Sequence, residues 1–136
     1  MGLSEISSES LFQILYVSQL AHGANFGVVK DIVRASRAHN PARSITGALL
    51  FDGERFCQLL EGRHVEVAPL MRRIEGDARH VRVRTLHAGP TSGRVLRSWR
   101  SGYCESASDL DVFEHSLAGT DAVRAFIALA HTADLE

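Results

Sequence analysis

Cysteine is scarce in this chain: 136 residues carry two, Cys57 and Cys104. Two thiols give no disulfide framework, so the fold must stand on a hydrophobic core. The hydrophobic fraction of 45% suffices for one core, and the length suits one domain. Cys57 lies in an apolar run and is expected as a small core residue. A dominant charge is missing too. The net charge is −1, which argues against a general nucleic-acid binder, since such a protein needs a basic patch. Arginines cluster at Arg72, Arg73 and Arg79 and again at Arg94, Arg97 and Arg100. They are expected on solvated faces or in local ion pairs. No apolar run approaches the roughly 20 residues of a membrane span. Residues 1–10 lack the basic and apolar regions of a secretory signal and read as a polar leader. A soluble cytoplasmic protein with no membrane or nucleic-acid partner is the expectation.

Catalytic signatures are also absent. His22, His39, His64, His80, His87, His115 and His131 show no H-E-x-x-H spacing, so no metal site is expected. No serine or cysteine sits in a recognised nucleophile motif, and no nicotinamide-binding glycine fingerprint is present. These absences disfavour a metabolic enzyme.

What remains is a pattern of alternating elements. Leu11 to Ser18 reads as a strand with Phe12, Ile14 and Tyr16 on one face. Asn25 is placed to cap a helix whose stripe is Val28, Val29, Ile32, Val33 and Ser36. That helix is expected to stop at Asn40-Pro41, because a residue before proline avoids the helical region. Ser44 to Phe51 and Arg55 to Leu60 form a hairpin through Asp52-Gly53. A second helix follows from about His64 to Gly76, with Val67, Leu70, Met71 and Ile74 as its stripe. Pro69 implies a late start or a kink there. Val81 to His87 and Arg94 to Tyr103 are the last strands, with Gly89-Pro90 and Ser92-Gly93 between them. Asp109 to Leu117 suggests a short helix, and Thr120 is placed to cap another that carries Val123, Phe126, Ile127 and Ala130. The order is the ferredoxin-like βαββαβ arrangement with one added strand, an α+β fold of βαββαββ type. Two helices should lie on one sheet face and the C-terminal helices on the other. The partition is a leader 1–10, a core domain 11–105 and a helical extension 106–136.

In this topology Leu11–Ser18 and Arg55–Leu60 are expected side by side and parallel in the sheet centre. Tyr16 is in phase with Phe12 and Ile14, and Gln58 with Phe56 and Leu60. Two polar side chains would then meet in an apolar layer. A buried amide needs partners. Either the pair is a core contact completed by water, or it faces a ligand with its own donors and acceptors. Asn40 ends the first helix on the same side. It is a simple helix stop, or an amide placed to bind an imide-like ring edge. Trp99, the single tryptophan, is a core residue or a ligand contact.

These residues together resemble the BLUF family, blue-light sensors that use FAD. The resemblance spans about Leu11 to Glu105 and rests on several runs. They are Tyr16-Val17-Ser18, Ser36 to Pro41, Ile45-Thr46-Gly47-Ala48-Leu49-Leu50, Phe56-Cys57-Gln58-Leu59-Leu60-Glu61-Gly62, Asp77-Ala78-Arg79-His80 and Trp99. The resemblance implies FAD, with FMN as the alternative, between the two helices. By it Ile32 and His39 match positions packed on or beside the flavin, and Asn40 the amide on its pyrimidine edge. Arg73 matches an arginine that contacts the flavin in some members. Asp77, one helical turn on, is expected to pair with Arg73. Arg79 and His80 match further flavin contacts. Tyr16 matches the phenol that gives an electron and a proton to the excited flavin. Gln58 matches the amide between that phenol and flavin N5/O4, left rotated or tautomerised by the photocycle, which shifts absorption slightly red. Trp99 and Ser101 occupy the family's Trp-x-Met positions. Ser101 departs from the pattern, since it stands where a methionine partner of the glutamine usually sits, and this implies an altered relay.

The resemblance also implies signalling in trans, to a downstream protein or to a second copy of the chain. Two rivals differ in class: a flavin-dependent redox enzyme, and a ferredoxin-like regulatory module that binds a small molecule without photochemistry.

Overall fold

The computed structural model describes residues 10–103, 110, 111, 113 and 118–135. Its elements run β1 (Leu11–Leu20), α1 (Phe26–Ala42), β2 (Thr46–Phe51), β3 (Arg55–Arg63), α2 (His64–Glu75), β4 (His80–Pro90), β5 (Trp99–Tyr103), α3 (Gly119–Thr132) and β6 (Asp134–Leu135). The sheet order is β4-β1-β3-β2-β5-β6. This is the expected ferredoxin-like α+β architecture, extended by a two-residue strand, β6, that pairs antiparallel with β5. The leader 1–9, Cys104 and most of the expected Asp109–Leu117 helix lie outside the described residues. No described helix is long and apolar enough to cross a membrane.

One topological expectation is corrected. β1 and β3 are neighbours, but they run antiparallel. The β1–α1–β2 crossover returns the chain parallel to β1, leaving a one-strand gap. The Asp52-Gly53 hairpin then reverses β3 into that gap, antiparallel to both neighbours. Asp52 Oδ1 accepts from the backbone N–H of Glu54 at 2.9 Å and of Arg55 at 2.7 Å, which fixes the turn.

Side-chain alternation divides the core into two layers. On one face Ile14, Tyr16, Leu49, Phe51, Phe56, Leu60 and Trp99 pack against Val29 of α1 and Val67 and Met71 of α2. On the other, Leu15, Val17, Ala48, Leu50, Cys57 and Leu59 pack against Val123, Phe126 and Ala130 of α3 and against Leu110 and Phe113. Polar ties hold this second layer. Arg55 pairs with Asp52 and Asp111, and Arg84 Nη2 donates to Phe113 O at 2.7 Å.

Element ends depart from the pattern for local reasons. Asn25 caps α1 as expected, accepting from Gly27 N and Val28 N. The helix does not stop at Asn40-Pro41 but runs on to Ala42. Pro41 falls in the last turn, where its lack of an N–H removes one bond rather than breaking an interior ladder. α2 starts at His64, so Pro69 is interior and the late start is not seen. Thr120 does not cap α3. The cap position is Ala118, which offers no side-chain bond. β4 continues through Gly89-Pro90. β5 begins at Trp99 rather than Arg94. Arg94 is turned inward instead, with Nη1 donating to Thr46 Oγ1 at 2.8 Å and Glu61 O at 2.9 Å.

Gly47 matters for the strand order. Its φ is +139°, and a Cβ there would fall 1.9 Å from Leu59 O. Gly47→Ala is therefore expected to destabilise the fold by at least about 2 kcal/mol. Chemical denaturation should show a lower midpoint with an unchanged slope, and an unmoved midpoint would contradict this backbone geometry.

Candidate functional site

A cavity of about 410 Å³ lies between α1 and α2 over the first sheet face, a size usual for small-molecule sites. Tyr16, Leu49, Phe56 and Gln58 form its floor; Ile32, Ala35, Ser36, His39 and Asn40 line the α1 side. Leu70, Arg73 and Ile74 line the α2 side, and Arg43, Asp77, Arg79 and His80 complete it. Thus Tyr16, Ile32, His39, Asn40, Gln58, Arg73, Asp77, Arg79 and His80, all singled out from the sequence, meet around one space.

The floor is set by register. Tyr16 and Gln58 are direct cross-strand partners, and the Tyr16 hydroxyl donates to Gln58 Oε1 at 3.1 Å. Both are 4% exposed. Burial pushes the Tyr16 phenol well above its ordinary pKa, and Cys57 and Asp77 push the same way. The phenol is therefore a proton donor at any working pH. Gln58 Nε2 and the whole side-chain amide of Asn40, itself 3% exposed, have no partner among the described residues. Asn40 is held by its backbone, whose carbonyl accepts from Arg43 N at 3.1 Å and Ile45 N at 2.9 Å. That leaves its side chain committed to nothing but the cavity.

His80 knits three elements. Its Nε2 lies 2.6 Å from Ile74 O and its Nδ1 2.8 Å from Ser18 Oγ. A carbonyl only accepts, so Nε2 carries a proton, and in the neutral ring Nδ1 accepts from Ser18. The His80 ring stands edge-on to Tyr16 at 6.2 Å.

Asp77 does not pair with Arg73. It lies beyond the last residue of α2, where helical spacing no longer applies. It takes Arg79 instead, with Nη2 at 2.6 Å and Nε at 3.0 and 3.1 Å. The hydrogen bonds from Arg79 hold the Asp77 carboxyl below its usual range. Arg73 has no ion pair among the described residues and lines the cavity unpartnered.

Trp99 and Ser101 do not line the cavity. Leu49 is the strand partner of Gln58 on one side and of Ser101 on the other, so it stands between them. Ser101 is buried, and its Oγ accepts from Arg37 Nη2 at 3.3 Å. Trp99 is 8% exposed, and its indole Nε1 is buried without a partner among the described residues. The sequence reading missed Ala35, Ser36, Arg43, Leu49, Phe56, Leu70 and Ile74. Phase with Gln58 could have supplied Leu49 and Phe56, and the three- and four-residue steps from Ile32 could have supplied Ala35 and Ser36.

A carboxyl with a lowered folded-state pKa stabilises the fold above its unfolded value of about 3.9 and stops doing so as pH falls through the folded value. Wild type should exceed Asp77→Asn in stability near neutral pH, by under about 1 kcal/mol because the pair is partly exposed. Thermal melts should show that gap closing as pH falls below the usual carboxylate range; a gap that persists in strong acid would refute the pairing.

A sequence profile of BLUF, sensors of blue-light using FAD, matches residues 11–102. The beta subunit of the photoactivated adenylate cyclase of Euglena gracilis is 34% identical over 97 residues, which is 71% of this chain and 11% of that protein. The chain spans only 9% to 11% of the length of the first curated relatives it matches. Among solved structures, the dark state of BlrB, a BLUF protein, superposes with a TM-score of 0.77 at 26% identity, covering 91% of this chain and 97% of that one. The photo-activated state of BlsA reaches the same TM-score of 0.77 at 19% identity, covering 93% and 98%, a likeness of fold. With the profile matched from β1 into β5, the chain belongs to the BLUF family of blue-light sensors using FAD.

Proposed function

We propose that this chain is a blue-light photoreceptor whose photoactive pair is Tyr16 and Gln58. The observation that carries this reading is their buried hydrogen bond, beside Gln58 Nε2 and the Asn40 amide, which face the cavity with no partner among the described residues. A flavin ring is flat and apolar on its faces and polar along one edge. The residues fit such a group: Ile32, Leu70 and Ile74 offer apolar contact, while Asn40 and Gln58 offer donors and acceptors to an edge. Ile32 and His39 would pack on the ring, Asn40 would bind its pyrimidine edge, and Arg73, Asp77, Arg79 and His80 would complete the site. FAD is the cofactor of the family, and FMN carries the same ring.

When bound, the flavin supplies blue-light absorption and an electron acceptor. Tyr16 holds its proton until it loses an electron, because burial disfavours the phenolate. An oxidised phenol is strongly acidic, and its proton has an acceptor already in place at Gln58 Oε1. Gln58 is free to turn or tautomerise, since its Nε2 is tied to no protein group among the described residues. When electron and proton return to Tyr16, the amide keeps its new arrangement. This is a two-position hydrogen-bond switch set by light.

The output is carried in trans by a protein partner or by a second copy of the chain, in the cytoplasm, and the chain is a sensor rather than an enzyme. Residues 11–105 hold the light-absorbing site. The extension 106–136 is read as the output side; its α3 covers the sheet face opposite the cavity.

The purified protein should be yellow and shift reversibly to the red under blue light. Tyr16→Phe should keep the colour and lose the shift. Protein that takes up no flavin refutes the sensor, and a shift that survives in the variant refutes the role of Tyr16. Ser101→Met removes one acceptor of Arg37 and sets a longer side chain beside Leu49. It is expected to change the dark-recovery rate severalfold, and identical recovery would remove Ser101 from the relay.

A further inference from the structure

β1 and β3 carry a second polar pair, three residues from the first. Gln13 faces Glu61 across the strands, and its Nε2 donates to Glu61 Oε2 at 2.9 Å. Alternation puts this pair on the α3 side of the sheet, opposite Tyr16 and Gln58. Glu61 is 0% exposed. Its carboxylate also accepts from Val95 N at 3.0 and 3.1 Å and from Leu96 N at 3.0 Å. A buried carboxylate persists only when such donors replace water. Arg94 adds a tie to the same residue, through Glu61 O at 2.9 Å, and one to Thr46, its partner on β2.

Segment 94–96 thus hangs on the strand that carries Gln58. It leads directly into Trp99 and Ser101 on β5. Val95 is 44% exposed at its surface.

We propose that Glu61 is a positioning residue of the photoswitch. It ties the segment ahead of β5 to β3, so that a rearrangement at Gln58 reaches an exposed surface through β3 as well as across the sheet. This rests on the reading of Tyr16 and Gln58 as a light-driven pair. The carboxylate suits the task, since one rigid fork gathers donors from β1 and from two successive backbone N–H groups. A displacement of β3 must then either carry the segment with it or break bonds that have no water to replace them.

The test is Glu61→Gln in the full flavin-loaded chain. The variant keeps the side chain's size but sets an NH2 group against the Val95 and Leu96 N–H groups. Amide hydrogen exchange and the flavin spectrum are recorded in the dark and under blue light. Expected are an unchanged red shift, at least tenfold faster dark exchange at Val95 and Leu96, and at least a fivefold smaller light-induced change over 94–98. Glu61→Asp, which keeps the carboxylate, should restore part of that light-induced change, as a merely structural role would not require. If Glu61→Gln does not fold, Arg94→Ala serves in its place, with the same direction and smaller size. A wild type that shifts red, with an equal light-induced exchange difference in the variant, overturns the proposal alone. A wild type that takes up no flavin overturns the sensor reading and this proposal together.

Discussion

Strands β1 and β3 run antiparallel with Tyr16 opposite Gln58. A slip of β3 by one residue would send Gln58 to the face opposite Tyr16. It would also turn Glu61 toward α1 and α2, away from Gln13 and from its donors at Val95 and Leu96. Both polar pairs therefore depend on one register. The apolar residues on either side of each pair hold it, because Ile14 and Leu60 belong to one core layer and Leu15 and Leu59 to the other. The hydrophobic effect chooses the face, and the hydrogen bonds then find their partners.

This explains why much of the site was legible in the sequence. Which face a strand residue occupies follows from parity alone. Tyr16 and Gln58 were thus brought to one face even though the direction of β3 relative to β1 was read the wrong way. Direction is a property of connections: it needs the crossover and the hairpin taken together. Asn40 was likewise placed beside the pair although its helix runs beyond it. A proline in a last turn costs too little to end a helix at the residue before it.

Long-range polar contacts were not legible. Arg94 reads as the head of a strand and as a solvated or locally paired cation, yet it bonds Thr46 and Glu61 over 48 and 33 residues of sequence. Asp77 falls at a helical spacing from Arg73, and only the actual end of α2 reveals that the spacing is meaningless there. The motif runs gave the likeness to a family. They could not show that Arg37 reaches Ser101, a contact made between a helix and the strand beyond β2.

Leu49 divides a row that runs from Tyr16 through Gln58 to Ser101. An aliphatic side chain neither gives nor takes a proton. The Ser101 hydroxyl accepts from Arg37, so any coupling between Ser101 and Gln58 runs through the packing of Leu49 rather than through a direct hydrogen bond. Among the described residues the Tyr16 hydroxyl has one hydrogen-bond acceptor, Gln58 Oε1.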